Sequence, residues 1–498
     1  MNELLLGIDV GTTNVKAVLA TPDGRVIAQA SRAYPVHYLR PGWVEQDPAD
    51  WWRCVCEIVR ATVAEAGAQH GQVRAIGVSG QGCAVTLIDA RGDVVRPAII
   101  WMDSRSEAQC ERLRECCAGE IAARNGKSPA PYNADPTLMW IAEHEPDSIR
   151  RAQVSLTATG YITYKLSGRP VANSSDASIL FAFDLFTGIW SDDLIAQFGL
   201  PRRLYPEIAP CTEVIGRLTR EAAAKCGLTP GIPIIAGGED TSSAGLAMGV
   251  TAPGQALLSL GTAGTLYGVQ THPVTAPALL TFLHVLPAVA LLGGSMVAVG
   301  AGLAWCKRLL GGTSDEALSE LAAGVHPGAG GLVFLPYLSG ELQPINDGNA
   351  RGVFFGLGFG TEQSHLVRAV MEGAAFAIAH NLALATQHGT PITEIRAVGG
   401  PTRSPVWCQI IADVTGQPLL VMADNAGAPL GDALLAGAGV NLIHDLSQTA
   451  YRAASMTTQY VPDMETHARY SELFLIYAAL YPALRTSFAT LALWEAFA

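Results

Sequence analysis

With 498 residues the chain exceeds what a single core serves, so two or three domains of ~150 residues are expected. Hydrophobic residues make up 49% of it and charged residues 15%, so burial is not limiting. The formal net charge of −12, with Lys and Arg scattered rather than clustered, argues against nucleic acid or an anionic membrane as a partner, whereas a small neutral substrate is not repelled.

The first apolar stretch already contains Asp9 and lacks the basic, apolar and small-residue order of a signal peptide, so a cytoplasmic protein is expected. Ten cysteines occur without a C-x-x-C pair, and neither CVC nor CC has a His nearby at metal-ligand spacing, which predicts reduced, mostly buried thiols.

The chain opens on LLLGIDVGTTNVKAVL, an apolar strand that runs into Asp9, Gly11, Thr12 and Thr13 and then Lys16. A hairpin turn rich in Gly and Thr presents several backbone N–H groups and hydroxyls at one point, which suits the oxygens of a polyphosphate. Asp9 at the strand end suits a Mg²⁺ held through water, because that ion takes few carboxylates and keeps its hydration shell. Lys16 adds a positive charge nearby. The same residues also make an ordinary hairpin, so the turn alone leaves both readings open.

DPADWWRCVCEIVRATVAEAG follows as a helix, with Asp47 or Asp50 as its cap and Trp, Val and Ile at helical spacing. VRAIGVSG, RPAIIW and IPIIAGG read as strands. The last presents Glu239 and Asp240 at its carboxyl end, where ligands gather in open α/β folds and a carboxylate can take a hydroxyl proton. Asp240, followed by Thr241, Ser242 and Ser243, is equally suited to start a helix. TAPG, from Thr251 to Gly254, is the expected boundary between halves, 1–250 and 251–498.

ALLSLGTAGTLYGV then repeats the opening pattern, with Gly261, Thr262, Ala263, Gly264 and Thr265 between two apolar strands. The longest apolar stretch, LLTFLHVLPAVALLGGSMVAVGAGLAW, is broken by His284, Pro287 and Gly293–Gly294, which favours two buried strands joined at a turn over a membrane helix. GLVFLPY and EIRAVGG are further strands, and Gly399–Gly400 ends the second. Glycine there either lets a flat adenine approach the backbone or makes a plain strand-to-helix turn. The alternation of strands and helices is an α/β signature.

The paired Gly-Thr hairpins resemble those of the actin, hexokinase and Hsp70 superfamily, in which two similar halves clamp a nucleotide. The order GIDVGTTNVK, Gly80–Gln81, WMDSR, GGEDTSSAG, LSLGTAGTLY, LPYLSGE, RGVFFGLGFGTEQSHLVRAVMEG and AVGG with AGAPLGDALLAG resembles the FGGY carbohydrate kinases over essentially the full length. Gly352, Gly356, His365, Ala369 and Glu372 match that family's long C-terminal signature. Within the family, GWVEQDPADWW and IIWMDSR are most similar to the xylulokinases. The resemblance implies two actin-like, ribonuclease H-like domains around a central cleft, with the sugar bound largely by the first and ATP by the second. It implies ATP- and Mg²⁺-dependent phosphorylation of a ketopentose such as D-xylulose, and a family that often dimerises.

Residue by residue, the resemblance makes Asp240 the general base and Asp9 the organiser of Mg²⁺. Thr12, Thr13 and the Gly261–Thr262 turn would hold the β- and γ-phosphates, Gly300 to Gly302 would lie near the α-phosphate, and Gly399 and Gly400 along the adenosine. Gln81 and Asp103 would contact the polyol, beside Gly82 and Cys83, with Trp101 as an apolar wall; Trp101 and Asp103 serve equally well as structural residues.

The sugar side departs from the pattern. Xylulokinases carry Gln-Met-His-Gly where this chain has Gln81, Gly82, Cys83 and Ala84; SGERTP reads SGELQP, with Leu342 and Gln343; and Thr137 replaces a Lys. Cys83 reads as a small packing residue rather than a reactive thiol. Pro401 stands where the family has a third Gly. Lost hydrogen-bond donors weaken discrimination among sugars, which keeps open a different pentulose, a tetritol or a sugar acid as substrate. A nucleotide-binding regulator without sugar turnover is the rival from another class.

Overall fold

The computed structural model describes residues 3–69, 71–423 and 427–495; residues 1–2, 70, 424–426 and 496–498 lie outside it. Two seven-stranded sheets form the framework. The first takes β1 (Leu4–Val10), β2 (Asn14–Ala20), β3 (Val26–Ala33), β4 (Val73–Gly80), β5 (Val214–Arg217), β6 (Pro233–Ile235) and the short β7 (Gly238–Glu239). Its order is β5-β6-β4-β1-β2-β3, with β7 added to β4. The second takes β8 (Gln255–Leu260), β9 (Gly264–Gln270), β10 (Leu280–Leu283), β11 (Ala290–Met296), β12 (Glu394–Gly399), β13 (Leu419–Met422) and β14 (Met456–Tyr460). Its order is β10-β11-β9-β8-β12-β13-β14.

The two orders are the same design. In each, a Gly-Thr hairpin feeds an antiparallel run, two parallel strands follow on the other side of the first strand, and an antiparallel strand closes that edge. This duplication makes the fold α/β, with two actin-like halves. Both faces of the first sheet are covered, so β1 is buried at every residue and reads as a continuous apolar run. Helix α1 (Pro48–Glu65) shows how the local sequence sets its start. Asp47 accepts the Ala49 amide at 2.9 Å, Pro48 occupies the first turn, and Trp51, Cys54, Val55, Ile58 and Val59 enter the core.

The long apolar stretch forms β10 and β11, antiparallel and joined by a turn, followed by α2 (Gly300–Leu309). Among the described residues two helices have the length and apolarity of a membrane span. One, α3 (Gln363–Gln387), is mostly buried; the other, α4 (Met464–Glu495), is mostly exposed over Met464–Trp494. The signature around α3 builds the second core. The Glu372 carboxylate accepts the Arg368 guanidinium at 2.7 Å, the Tyr470 hydroxyl at 2.7 Å and the Gly328 amide at 3.0 Å, while His365 caps the helix start.

The halves meet through two helices, α5 (Asp240–Ala247) from the first and α6 (Ala428–Gly439) from the second; α6 packs on β1 and β4, the sheet of the other half. A Cβ at Gly7 would stand 1.7 Å from the Pro429 carbonyl oxygen, and one at Gly77 2.2 Å from that of Asp432, so glycine is what lets α6 reach the sheet. Leu430, Ala433, Leu434 and Leu435 of α6 join Leu5, Ala75, Ile235 and Leu246 in one buried cluster between the halves.

Candidate active site

Strand register assembles the first half of the site. In the parallel ladders Asp9 of β1 lies beside Ser79 of β4, and Ser79 lies beside Gly238 of β7. Asp9 and Asp240 therefore stand at the carboxyl ends of the two strands that flank β4. Asp240 opens α5, and the cap is supplied by the residue before it: Glu239 accepts the Ser242 amide at 2.8 Å. The acid expected either to act or to cap is thus relieved of capping. Burial, and next the charge of Asp240, push Asp9 up to about 7, against which Lys16, its register partner on β2, pulls it down. Burial and the Asp240 charge also push Glu239 well above the carboxylate range.

The Gly11–Thr13 turn is held from behind. Tyr34 donates to the Gly11 carbonyl, Gln46 donates to the Thr12 carbonyl at 2.7 Å, and the Trp101 indole donates to the Thr12 hydroxyl at 3.0 Å. Gln46 in turn accepts from Gln81 at 2.7 Å and from Trp51 at 3.1 Å. Gln81 keeps a buried side-chain oxygen with no partner. Trp101 is 46% exposed and free to wall a pocket, whereas Asp103 is 3% exposed.

For Asp103 the geometry favours the structural one of the two roles that the sequence left open. Its carboxylate accepts the Arg105 guanidinium at 2.7 and 2.9 Å and the Val44 amide at 2.6 Å, which leaves it anchoring the Trp101 loop rather than facing a sugar. Cys83 sits beside Gly82 at a left-handed φ of 58°, buried, and burial raises its thiol far above the usual range, in keeping with a packing residue. Thr137 is also turned inward, donating to the Asn133 carbonyl at 3.0 Å.

The second half supplies a cavity of about 700 Å³, lined by Gly261 and Thr262 of the repeated hairpin, Gly300, Lys307 and Arg308 of α2, Gly400 and Pro401 of the turn after β12, and Trp407 of the helix that follows it. The Gly300 and Ala301 amides donate to the Gly261 and Thr262 carbonyls at 3.0 and 2.9 Å, which fixes the helix start to the hairpin. A Cβ at Gly300 would meet the Gly261 oxygen at 2.3 Å. Gly302, expected beside Gly300 at the phosphates, is buried, a Cβ added there would meet Val370 at 3.8 Å, and it does not line the cavity, because the helix turns it toward the core. Gly399 is likewise required by packing: at φ 114° its added Cβ would lie 1.9 Å from the Leu260 oxygen. Thus the cavity meets Gly400 and not Gly399.

The halves face each other here. Burial raises the Tyr267 hydroxyl of β9 to about 12, and the charges of Glu239 and Asp240 from the other half add to that rise. Sequence reasoning missed two groups, Ser79 and Asp432. Asp432 left one trace, a single acid in the otherwise apolar LGDALLAG; Ser79 left none.

Comparison with known proteins agrees with this arrangement. The models of the N-terminal and C-terminal domains of the FGGY family of carbohydrate kinases match residues 4–247 and 256–440. The xylulose kinase of Escherichia coli strain K12 is 32% identical, over 97% of this chain and 99% of its own. Among solved structures, the xylulose kinase of Rhodospirillum rubrum superposes with a TM-score of 0.93 at 33% identity, over 98% of this chain and 100% of that one. The gluconate kinase of Lactobacillus acidophilus gives 0.93 at 26% identity, over 99% and 100%. Two hairpins, a strand-end acid at the mouth between the halves, and this match to both domain models lead to one conclusion: the chain belongs to the FGGY family of carbohydrate kinases.

Proposed function

We propose that this sugar kinase transfers the γ-phosphoryl group of ATP to a hydroxyl of a ketopentose, D-xylulose first among them, in the cytoplasm. The observation that carries the reading is that Asp9 and Asp240 end the two strands flanking β4, where the Asp240 charge reaches both Asp9 and Tyr267 of the second half. Asp240 takes the proton of the substrate hydroxyl as that oxygen attacks. Thr12 and Thr13 on one side and the Gly261–Thr262 turn on the other hold the β- and γ-phosphates, and Gly300 starts the helix near the α-phosphate. The cavity beside Gly400, Pro401 and Trp407 takes the adenosine. In-line positioning and N–H groups on the phosphoryl oxygens are most of what this chemistry requires.

The residues present fit Mg²⁺. Asp9 and Asp240 bring two carboxyl groups to one point, close enough for the Asp240 charge to raise Asp9, and among the described residues no three His, Cys, Asp or Glu form a protein-only cage. That suits an ion that keeps water and phosphate as ligands. Asp9 would hold it through water, and the ion would neutralise phosphate charge. Gln81, with its unpartnered oxygen, and Trp101 then face the sugar. The buried cations nearby are occupied: Arg105 by Asp103 and Glu45, and Lys127 by the Asn125, Ser178 and Thr281 oxygens. A neutral polyol is thereby favoured over a sugar acid such as gluconate.

ADP release from purified protein with MgATP tests this, using D-xylulose, L-xylulose, D-ribulose, L-ribulose, erythritol and gluconate. D-xylulose is expected to give the highest kcat/KM, and Asp240→Asn to lower kcat by about 10²–10⁴ with KM for MgATP little changed. Strong turnover of a different compound replaces the substrate assignment; nucleotide binding with no turnover of any member favours the regulator.

A further inference from the structure

Asp432 is fully buried, has no cationic partner among the described residues, and comes from the half of the chain opposite to the site acids. One of its oxygens meets the Ser243 hydroxyl of α5 at 2.7 Å and the other meets the Ser79 hydroxyl of β4 at 2.6 Å. Ser79 also stands 3.3 Å from the Asp9 carboxylate. A hydroxyl has one proton, so Ser79 can donate to one of these carboxyl groups and must accept from the other. Two ionised carboxylates around one hydroxyl leave an oxygen-to-oxygen contact without a hydrogen. A neutral Asp432 completes the set: its proton fills the 2.6 Å contact to Ser79, the Ser79 proton turns to Asp9, and the Ser243 proton fills the remaining oxygen. Burial, the largest effect, and the charges of Asp9 and Asp240 raise the Asp432 carboxyl, against the hydrogen bonds of Ser79 and Ser243, which pull it down.

We propose that Asp432 is a positioning residue, a neutral carboxylic acid carried into the first half by α6, which orients Asp9 through Ser79 and the Asp240 helix through Ser243. The close approach that delivers it is built in, since Gly77 and Gly431 leave room for the backbones of α6 and α5. The group thus joins the metal-side acid, the base-bearing helix and the junction between the halves. This rests on the reading of Asp9 as the residue that organises Mg²⁺.

The test is calorimetric binding of ADP, with Mg²⁺ and with chelator, to the intact protein, beside steady-state kinetics. Asp9→Asn is the control and is expected to lose the preference for MgADP over free ADP; if it keeps that preference, the metal reading of Asp9 fails and the proposal with it. Asp432→Asn, whose amide donates to Ser79 while its oxygen accepts from Ser243, is expected to keep the preference. Asp432→Ala and Ser79→Ala are expected to cut it by about ten-fold, the effect of losing a hydrogen bond to a charged group. Ser243→Ala is expected to leave the MgADP preference in place and to lower kcat, because it loosens only the Asp240 arm. Asp432→Ala with an unaltered preference, or Asp432→Asn as damaging as Asp432→Ala, overturns the proposal. Should Asp432→Ala not fold, equal effects of Ser79→Ala and Ser243→Ala on the preference overturn it, and unequal effects in the stated direction support it.

Discussion

At the scale of single residues, the site is built from groups whose partners are already assigned, and the exceptions mark where chemistry or titration is concentrated. Glu341 is such an exception away from the acids of the first half. One of its oxygens accepts the Val297 and Leu342 amides, both at 2.8 Å, while the other is buried without a partner. Burial pushes its carboxyl up to about 7, the two amide hydrogen bonds opposing. A raised acid favours the folded state when protonated, so this contribution is present below the ordinary Glu range and is lost as pH rises through about 7. Glu341→Gln removes the ionisation. Its melting temperature is expected to exceed that of the parent by a few degrees at pH ~8, with the gap closing by pH ~5. Differential scanning calorimetry at the two pH values checks this, and a gap independent of pH contradicts it. The same habit of reading partners settles Asp103 and Cys83. Either is a credible ligand by its place in a motif, yet the first is consumed by Arg105 and Val44, and the second is buried in a left-handed turn.

Among the helices and strands, the decisive contact is α6 on the first sheet. Its backbone comes close enough that Gly7, Gly77 and Gly431 admit no side chain, with an added Cβ at Gly431 only 2.0 Å from the Ser243 oxygen. Gly77→Ala is therefore expected to force α6 off β4 and to destabilise the protein by about 3 kcal/mol or more, beyond the usual cost of overpacking, because backbone atoms cannot rotate aside. Chemical denaturation measures the loss, and a change below about 1 kcal/mol would mean that α6 shifts freely. These glycines were legible in the sequence only as members of strands and of a Gly-Ala helix, since their reason lies in a segment hundreds of positions away. The two Gly-Thr hairpins were legible because turn, donors and flanking apolar strands all fall within one short window. The Glu239 cap stood within such a window too, but two adjacent acids compete for it, and only the folded geometry shows which one reaches the Ser242 amide.

At the scale of the whole molecule, two copies of one sheet design face each other, joined by α5 and α6 and by a third connection at β10. There Lys127 donates to the Thr281 carbonyl at 2.7 Å, Ser175 to that of Leu283 at 3.0 Å, and the Leu283 amide to Ser178 at 2.8 Å. Phosphoryl transfer to a sugar requires water to be excluded, so the halves are expected to draw together when both ligands bind. Small-angle scattering should show a radius of gyration smaller by about 1 Å with sugar and MgADP than without, and no decrease would mean that the cleft is closed before binding. The sequence by itself determined the α/β class, the duplication, the hairpin turns and the strand-end acids, because each depends on residues near one another in the chain. Only the tertiary structure decided that Asp432 meets Ser79 across 353 positions, that Gly302 turns into the core, and that Asp103 is spent on Arg105. Those outcomes depend on which distant groups packing brings together in a low-dielectric interior, where a buried donor or acceptor left without a partner is costly.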